Sequence, residues 1–536
     1  MKEKRILTIL ISIFLVMSLL PASVYAATGS EDISYYDTDG SVKTVAAGQY
    51  KEVTSSVASW SSDDKSWYVV SGDVTISNLV KVKGSVNLIL CDDATLTTKK
   101  GIKVEDKDSL TIYAQSAENK GKLVTTGEKF QAGIGGSDCE YGGKDCGTVT
   151  INGGNIDATG GKNGAGIGGG WNGDGGTINI NGGVIRSVAG QLAAGIGAGR
   201  YGNGGTVNIT GGTIVLAKGG EKDSDNSSGA GIGGGQGQED GKYGGGYGGT
   251  INITGGVIET AQGGYSGAGI GGGVWGDGGK ITISKDAVIK NALGGKNGAG
   301  IGGGYKGKGG TITISGGVIE SAKGGRRAAG IGGGYLGDGG TITIQSGRIG
   351  ESVGGYDRDK ESDEPSGGAG IGGGGKGDSG IITIKGDAYI KAASGNDNGA
   401  GIGGGGYLGN GNTISIEDDA YLDYVAGSIG GAGIGSGGGI DKAGKYSVTG
   451  GTINISGGYI DVLGSMRGAA IGGGDRASAG KITISGGEIK ATSVNLGAGI
   501  GSGSAKEDAP KDNSGEIFIT GGMVTARGGD GAGIGG

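Results

Sequence analysis

The chain has 536 residues, of which 141 are Gly and 3 are Pro, and it contains no His. Gly-rich sequence without a period would indicate disorder, and a Gly-X-Y period would indicate collagen. Neither fits, because the glycines recur beside regularly spaced Ile and Val. The formal net charge of -7 argues against a nucleic-acid partner. The lack of His removes His-based triads and the commonest zinc ligands.

Residues 1–26 have the features of a secretory signal peptide. Basic residues stand near the N-terminus, an apolar run covers residues 6–20, and small residues precede a cut after Ala26. The apolar run is shorter than the roughly 20 residues that a membrane-spanning helix needs. We therefore predict a secreted or cell-surface protein with no membrane span once the signal is removed.

The next two segments differ in composition and in the pattern of their apolar residues. Residues 27–66 are polar and Ser-rich, and we interpret them as a leader segment. From Trp67 onward, short runs alternate apolar and polar residues, which is a strand signal. Residues 67–127 lack the Gly phrase of the later chain. Since a solenoid needs an atypical end, we predict that they form an N-terminal cap and the first β-coils.

Residues 128–536 are built from one recurring phrase, Gly-Ala-Gly-Ile-Gly-Gly, first complete at 164–169. Self-similarity at a short period is the signature of a repeat architecture. The gaps between successive copies run from 29 to 40 residues. The thirteen copies centre on Ile134, Ile167, Ile196, Ile232, Ile270, Ile301, Ile331, Ile371, Ile402, Ile434, Ile471, Ile500 and Ile534.

Each repeat contains three strand signals. In the plainest copy these are Ile167, then Ile178 with Ile180 on one face, then Ile185. Three short strands in a coil of about 29–33 residues predict an all-β parallel β-helix, with coils stacked ~4.8 Å apart in three sheets. Parallel crossovers are right-handed as a rule, so we predict a right-handed helix. A β-propeller would need longer antiparallel strands, and no 3.6-residue apolar period supports an α-solenoid.

The longer gaps are polar, charge-rich insertions at coil corners: 221–228, 356–366 and 504–514. They are either tolerated solvated loops or a binding face, since solenoid insertions often gather on one side. The sequence ends at Gly536 within a repeat, so we expect the natural protein to continue.

Six aromatic residues follow the Gly phrase, four or five positions after its Ile. Stacked coils would align them along one corner of the helix. They could bind a glycan, whose sugar rings pack on aromatic faces, or they could cover the corner as packing. The six are Trp171, Tyr201, Trp275, Tyr305, Tyr335 and Tyr407.

Other motifs have a structural and a functional interpretation. Asp174, Asp277 and Asp338 share one repeat position before the second strand, where turn chemistry is the plainer interpretation and a Ca²⁺ ladder the sharper one. We predict no other cofactor. Cys139 and Cys146 flank a Gly-rich loop and could form a disulfide, or they are incidental thiols.

No motif predicts catalysis. Seven phrase copies match G-x-G-x-x-G, but more Gly and a strand follow each, where a dinucleotide site needs a helix. No strand region concentrates Asp, Arg and Lys in the way that carboxylate chemistry would require. We therefore predict no catalytic residues.

The repeat GAGIGGG-x-x-G-x-GGTITISGG-x-I resembles Gly-rich β-helix repeats in large secreted or surface proteins of Gram-positive bacteria. The stretch WYVVSGDVTISNLVKVKGSVNLILCDDATL looks like the segment that precedes such repeats. The resemblance covers most of residues 67–536 and implies an extracellular, surface-associated chain, with no catalytic residue to carry over. A more distant similarity is to secreted β-helix carbohydrate-binding proteins that recognise acidic plant polysaccharides.

Three functions follow as hypotheses. The first is a non-enzymatic rigid stalk or adhesin. The second is a polysaccharide-binding module that uses the aromatic corner, and the third is a polysaccharide lyase or hydrolase. The expected partner is a polysaccharide or another component of a host or bacterial surface.

Overall fold

A computed structural model describes residues 31–137, 145–221, 228–239, 245–356, 366–439, 448–504 and 515–536. The predicted signal peptide and nearly all of the three insertions lie outside these ranges. The described residues form strands, turns and bends and contain no helix. None of them therefore forms a helix long and apolar enough to cross a membrane.

The structure is a parallel β-helix, as predicted, with three ladders of strands. Successive coils pair Ile with Ile and Gly with Gly in the first ladder, for example Ile301 with Ile331 and Gly302 with Gly332. We call this the Ile-Gly ladder. Its 16 strands are Ser59–Ser61, Val80–Lys83, Ile102–Lys103, Ile134–Gly135, Ile167–Gly168, Ile196–Gly197, Ile232–Gly233, Ile270–Gly271, Ile301–Gly302, Ile331–Gly332, Ile371–Gly372, Ile402–Gly403, Ile434–Gly435, Ile471–Gly472, Ile500–Gly501 and Ile534–Gly535.

The second ladder contains the Thr-Ile strands. Three of its strands run on without a break into the third ladder, namely Lys280–Leu293, Thr311–Lys323 and Thr341–Val353. The others are Tyr50–Glu52, Trp67–Val70, Ser85–Leu90, Ser109–Ala114, Thr148–Ile151, Thr177–Ile180, Thr206–Ile209, Thr250–Ile253, Ile381–Ile384, Thr413–Ile416, Thr452–Ile455, Lys481–Ile484 and Glu516–Ile519.

The third ladder completes each coil. Because of the three long strands, it forms one sheet with the second ladder, so the expectation of three separate sheets needs correction. Its remaining strands are Val74–Ile76, Thr95–Thr98, Lys122–Thr126, Asn155–Thr159, Val184–Val188, Thr213–Lys218, Val257–Gln262, Tyr389–Ile390, Ala393–Ser394, Tyr421–Ala426, Tyr459–Leu463, Glu488–Thr492 and Met523–Arg527.

The core consists of aliphatic columns that run along the helix axis. The Ile residues of the Ile-Gly ladder are fully buried from Ile102 to Ile500. The second ladder adds two columns, since Ile312 pairs with Ile342 and Ile314 with Ile344, all at most 1% exposed. A single coil cannot bury these side chains, but stacked coils can.

The Gly that follows each Ile is required by backbone geometry. Gly302 has φ of 132°, in the region that side chains rarely adopt. A Cβ placed there would lie 2.0 Å from the carbonyl oxygen of Gly332 in the next coil. The close approach of neighbouring coils at this ladder therefore explains why the Gly recurs.

The β-helix begins earlier than the sequence indicated. Tyr50–Glu52 pairs with Trp67–Val70, and Ser59–Ser61 pairs with Val80–Lys83. Strands of the first coil therefore lie within residues 27–66, which we had interpreted as a leader. The period was hidden because aromatics fill part of the interior here: Trp60 is fully buried and packs 5.6 Å from Tyr68.

An antiparallel hairpin of strands Ile33–Tyr36 and Val42–Val45 precedes the first coil. Its Tyr35 ring lies 4.8 Å from the rings of both Trp67 and Tyr113. The hairpin is therefore packed on the first coils and is not a detached segment.

Candidate functional site

The segment that follows one Ile-Gly strand contacts the segment that precedes the Ile-Gly strand of a neighbouring coil. The backbone N–H of Tyr335, four residues after Ile331, donates to the carbonyl oxygen of Asn297 at 2.9 Å. Arg200 N–H donates in the same way to Asn163, also at 2.9 Å. We call the residues three to four before and four to five after each Ile the aromatic corner. Ser228, Ser366 and Ser504, which border the three insertions, lie four or five residues from the Ile of their coil, at or next to this corner.

The six predicted aromatics all lie half-buried on this corner, but at two positions. Trp171, Tyr305 and Tyr335 stand four residues after the Ile. Tyr201, Trp275 and Tyr407 stand five after it, at a turn position with φ between 58° and 67°. The structure therefore does not bring the six into one column.

Ring contacts within the corner are local. Tyr305 stacks on Tyr335 with centroids 5.8 Å apart, and Trp171 packs 5.2 Å from Phe130, which the sequence analysis did not single out. A ring that stacks on its neighbour along the axis offers its edge, and not that face, to a ligand. These contacts favour packing as the role of Tyr305 and Tyr335.

Cationic side chains cover several of the rings on the corner. The Arg200 guanidinium carbon lies 4.5 Å from the Tyr201 ring centre, and Lys376 Nζ lies 4.6 Å from that of Tyr407. Arg327 covers Tyr335 at 4.9 Å and also donates to its hydroxyl at 3.1 Å. Such cation–π pairs stabilise exposed sites by about 0.5–1 kcal/mol. Arg or Lys thus covers one face of the Tyr201, Tyr335 and Tyr407 rings.

Buried polar atoms without a partner concentrate on the same corner. In the described residues eight side-chain nitrogens or oxygens are buried and lack a hydrogen-bond partner. A buried unsatisfied group costs about 1–3 kcal/mol, so a concentration of them calls for a physical reason. The eight atoms belong to Gln131, Asn163, Trp171, Arg200, Gln236, Gln238, Trp275 and Ser366.

The three candidate calcium ligands form part of a backbone ladder. Asp174 Oδ1 accepts from Asn203 N–H at 2.7 Å, and Asp277 Oδ1 accepts from Lys308 N–H at 2.8 Å. Asp338 Oδ1 accepts from the N–H of Asp378 at 3.1 Å. Burial raises the pKa of Asp174. No group of three or more acidic, His or Cys side chains clusters in the described part of the chain, so calcium binding stays a prediction.

The predicted disulfide involves one residue outside the described ranges, Cys139. Cys146 is a buried thiol, and the pairing stays a prediction. Burial raises the pKa of Cys146 to about 12, as it does for Cys91. Both thiols therefore stay protonated at neutral pH and are poor nucleophiles.

The structure contains a second aromatic array that sequence reasoning missed. Tyr389, Tyr421 and Tyr459 stack along the third ladder with centroids 5.3 and 4.6 Å apart. Arg348 covers one end at 4.5 Å and Lys490 the other at 4.6 Å. The signal was present, because each Tyr directly precedes the buried Ile or Leu of its third strand.

The comparisons with known proteins agree with this architecture. Six segments match a family model described as a beta helix repeat: 149–171, 203–236, 251–274, 312–335, 482–504 and 519–536. These segments are similar to beta helix repeats, which agrees with the parallel β-helix of the structure. No curated protein and no solved structure gave a match.

Proposed function

We propose that this chain is an extracellular, non-enzymatic β-helix that serves as a rigid stalk or adhesin. The observation that carries the proposal is the unbroken pairing of the Ile-Gly ladder, in which each of 16 strands pairs with the next. Fifteen steps at 4.8 Å give a rod of about 70 Å. A stiff rod with a repeated surface suits presentation and multivalent contact, where effective concentration amplifies weak binding. The signal features of residues 1–26 support secretion.

Small-angle scattering of purified residues 27–536 tests the rod. We expect a distance distribution of a thin cylinder with a long dimension near that estimate. A compact or freely flexible particle would contradict the stalk function. Surface display in a bacterial host, with and without residues 1–26, tests secretion, which should depend on that segment.

Polysaccharide binding at the aromatic corner is the second candidate function. The pairing of half-buried rings with Arg and Lys favours it, since sugars contact both types of group. The test is retention of residues 27–536 on plant, host and bacterial polysaccharides, with and without Ca²⁺. The same samples are assayed for reducing or unsaturated sugars. Product release would overturn the non-enzymatic proposal and favour a lyase or hydrolase.

A further inference from the structure

We infer that the stretch of the aromatic corner between Gln131 and Trp275 binds a neutral glycan chain through buried polar groups. This inference deepens the second candidate function, polysaccharide binding at the aromatic corner, and rests on it, but it does not depend on the stalk function. It begins from six of the buried unpartnered atoms, which lie in five consecutive coils. They are Gln131 Nε2, Asn163 Oδ1, Trp171 Nε1, Arg200 Nε, Gln236 Oε1 and Trp275 Nε1.

These residues form one continuous strip, because backbone hydrogen bonds connect them from coil to coil. Asn163 accepts from Arg200 N–H, and Arg200 accepts from the N–H of Asn172 at 2.7 Å. Gln236 accepts from Tyr201 N–H at 2.7 Å, and the next residue, Gly237, donates to Val274 at 3.0 Å. The strip from Trp171 to Trp275 covers three coil steps, or about 14 Å.

The buried carboxamides make this strip unlike an ordinary surface. Gln131 is 6% exposed, and Asn163 and Gln236 are each 4% exposed. Buried amide groups in proteins are nearly always hydrogen-bonded, so these amides, which have no partner within the protein, have hydrogen-bonding capacity left for a ligand. Trp171, Arg200 and Trp275 are half-buried, so part of each side chain is at the surface. Binding requires these side chains to turn outward, because the six atoms are themselves buried.

The chemistry of the six atoms selects the ligand class. Four are donors and two are acceptors. An anionic group only accepts hydrogen bonds and would leave the oxygens of Asn163 and Gln236 unpaired. A hydroxyl both donates and accepts, and a sugar ring also presents C–H faces to indole rings. A neutral, polyhydroxylated chain satisfies all of these groups together.

The test compares tryptophan variants of residues 27–536. Trp275→Phe and Trp171→Phe keep a ring but remove the unpartnered N–H donor. The probe is cellohexaose, with a galacturonate hexasaccharide as the acidic counterpart, measured by titration calorimetry. We expect each variant to bind cellohexaose about tenfold more weakly, the loss expected for one hydrogen bond. The melting temperature should be nearly unchanged, since no partner of that N–H is lost.

Trp60→Phe is the matched control, because its Nε1 donates to the Val57 carbonyl at 3.1 Å in the core. It should lower the melting temperature and leave binding unchanged. Failure of the wild type to bind cellohexaose, or equal affinity of the corner variants, would overturn the inference. So would preference for the galacturonate probe, or a crystal structure in which ordered waters satisfy the six atoms while no probe binds. Scattering tests the stalk separately, so the two proposals can fail independently.

Discussion

A single glycine position controls how closely the coils can stack. At Gly302 a side chain would meet both an unfavourable φ and the backbone of the next coil. We expect Gly302→Ala to destabilise the surrounding coils by at least about 2 kcal/mol, since strain and a backbone clash add. Chemical denaturation followed by circular dichroism measures the loss.

The control for that substitution is Gly72→Ala. Gly72 has no atom within 4 Å of an added Cβ and no positive φ. It should leave stability within about 0.5 kcal/mol of the wild type. Equal losses of stability in the two variants would show that backbone flexibility along the whole β-helix, and not the contact between coils, determines the effect.

The Asp174 position gives a prediction with a definite pH dependence. Burial disfavours the charged carboxylate of Asp174, so its pKa is higher in the folded state than in the unfolded chain. The stabilising effect of the raised pKa is present at low pH and is lost as pH rises. Asp174→Asn keeps an oxygen to accept from Asn203 and removes the charge. We therefore expect an equal or higher melting temperature at pH 7, and a smaller difference at pH 3.

Added calcium distinguishes the turn interpretation of Asp174 from the metal-site interpretation. If the turn interpretation holds, added CaCl₂ leaves the melting temperatures of wild type and Asp174→Asn unchanged. A Ca²⁺-dependent rise in the wild type that the variant lacks would establish the ladder as a metal site. The variant needs no refolding control, since Asn203 and Asn410 occupy the same repeat position naturally.

Within a strand, the alternation of side chains between core and surface determines which Ile contributes to stability. Ile381 and Ile382 are neighbours in one strand, yet Ile381 is 52% exposed and Ile382 is fully buried. Ile382→Ala should cost about 2–5 kcal/mol through the cavity it leaves, whereas Ile381→Ala should cost little. Urea unfolding of the two variants measures the difference. Similar losses would contradict the assigned strand register.

The strands also show where sequence reasoning succeeded. The register of the Ile columns was predictable, because a residue two positions along a strand returns to the same face. The partners of the corner aromatics were not predictable. Arg327 precedes its Ile-Gly strand in the sequence and Tyr335 follows it. Their contact therefore depends on how these two segments fold together.

Over the whole molecule, the coil period predicted the architecture but not its start. Trp60 and Tyr68 fill part of the interior of the first coils, and no phrase marked them. Handedness rests on the general bias of parallel crossovers and stays a prediction. The buried polar strip was equally hidden, since its members are ordinary Asn, Gln and Trp until the coils stack.

Stacked repeats contact only their neighbours, so damage at one end should remain local. Deleting the hairpin, residues 31–47, uncovers Trp67 and Tyr113 and should loosen the first coils. Hydrogen exchange measured by mass spectrometry should accelerate over residues 50–126 and stay unchanged over 301–353. Val42→Ala in the hairpin is the control, because Val42 is 66% exposed and should change neither region. Faster exchange along the entire chain after the deletion would instead mean that the rod unfolds as one cooperative unit, and stability would then depend on the integrity of the first coils.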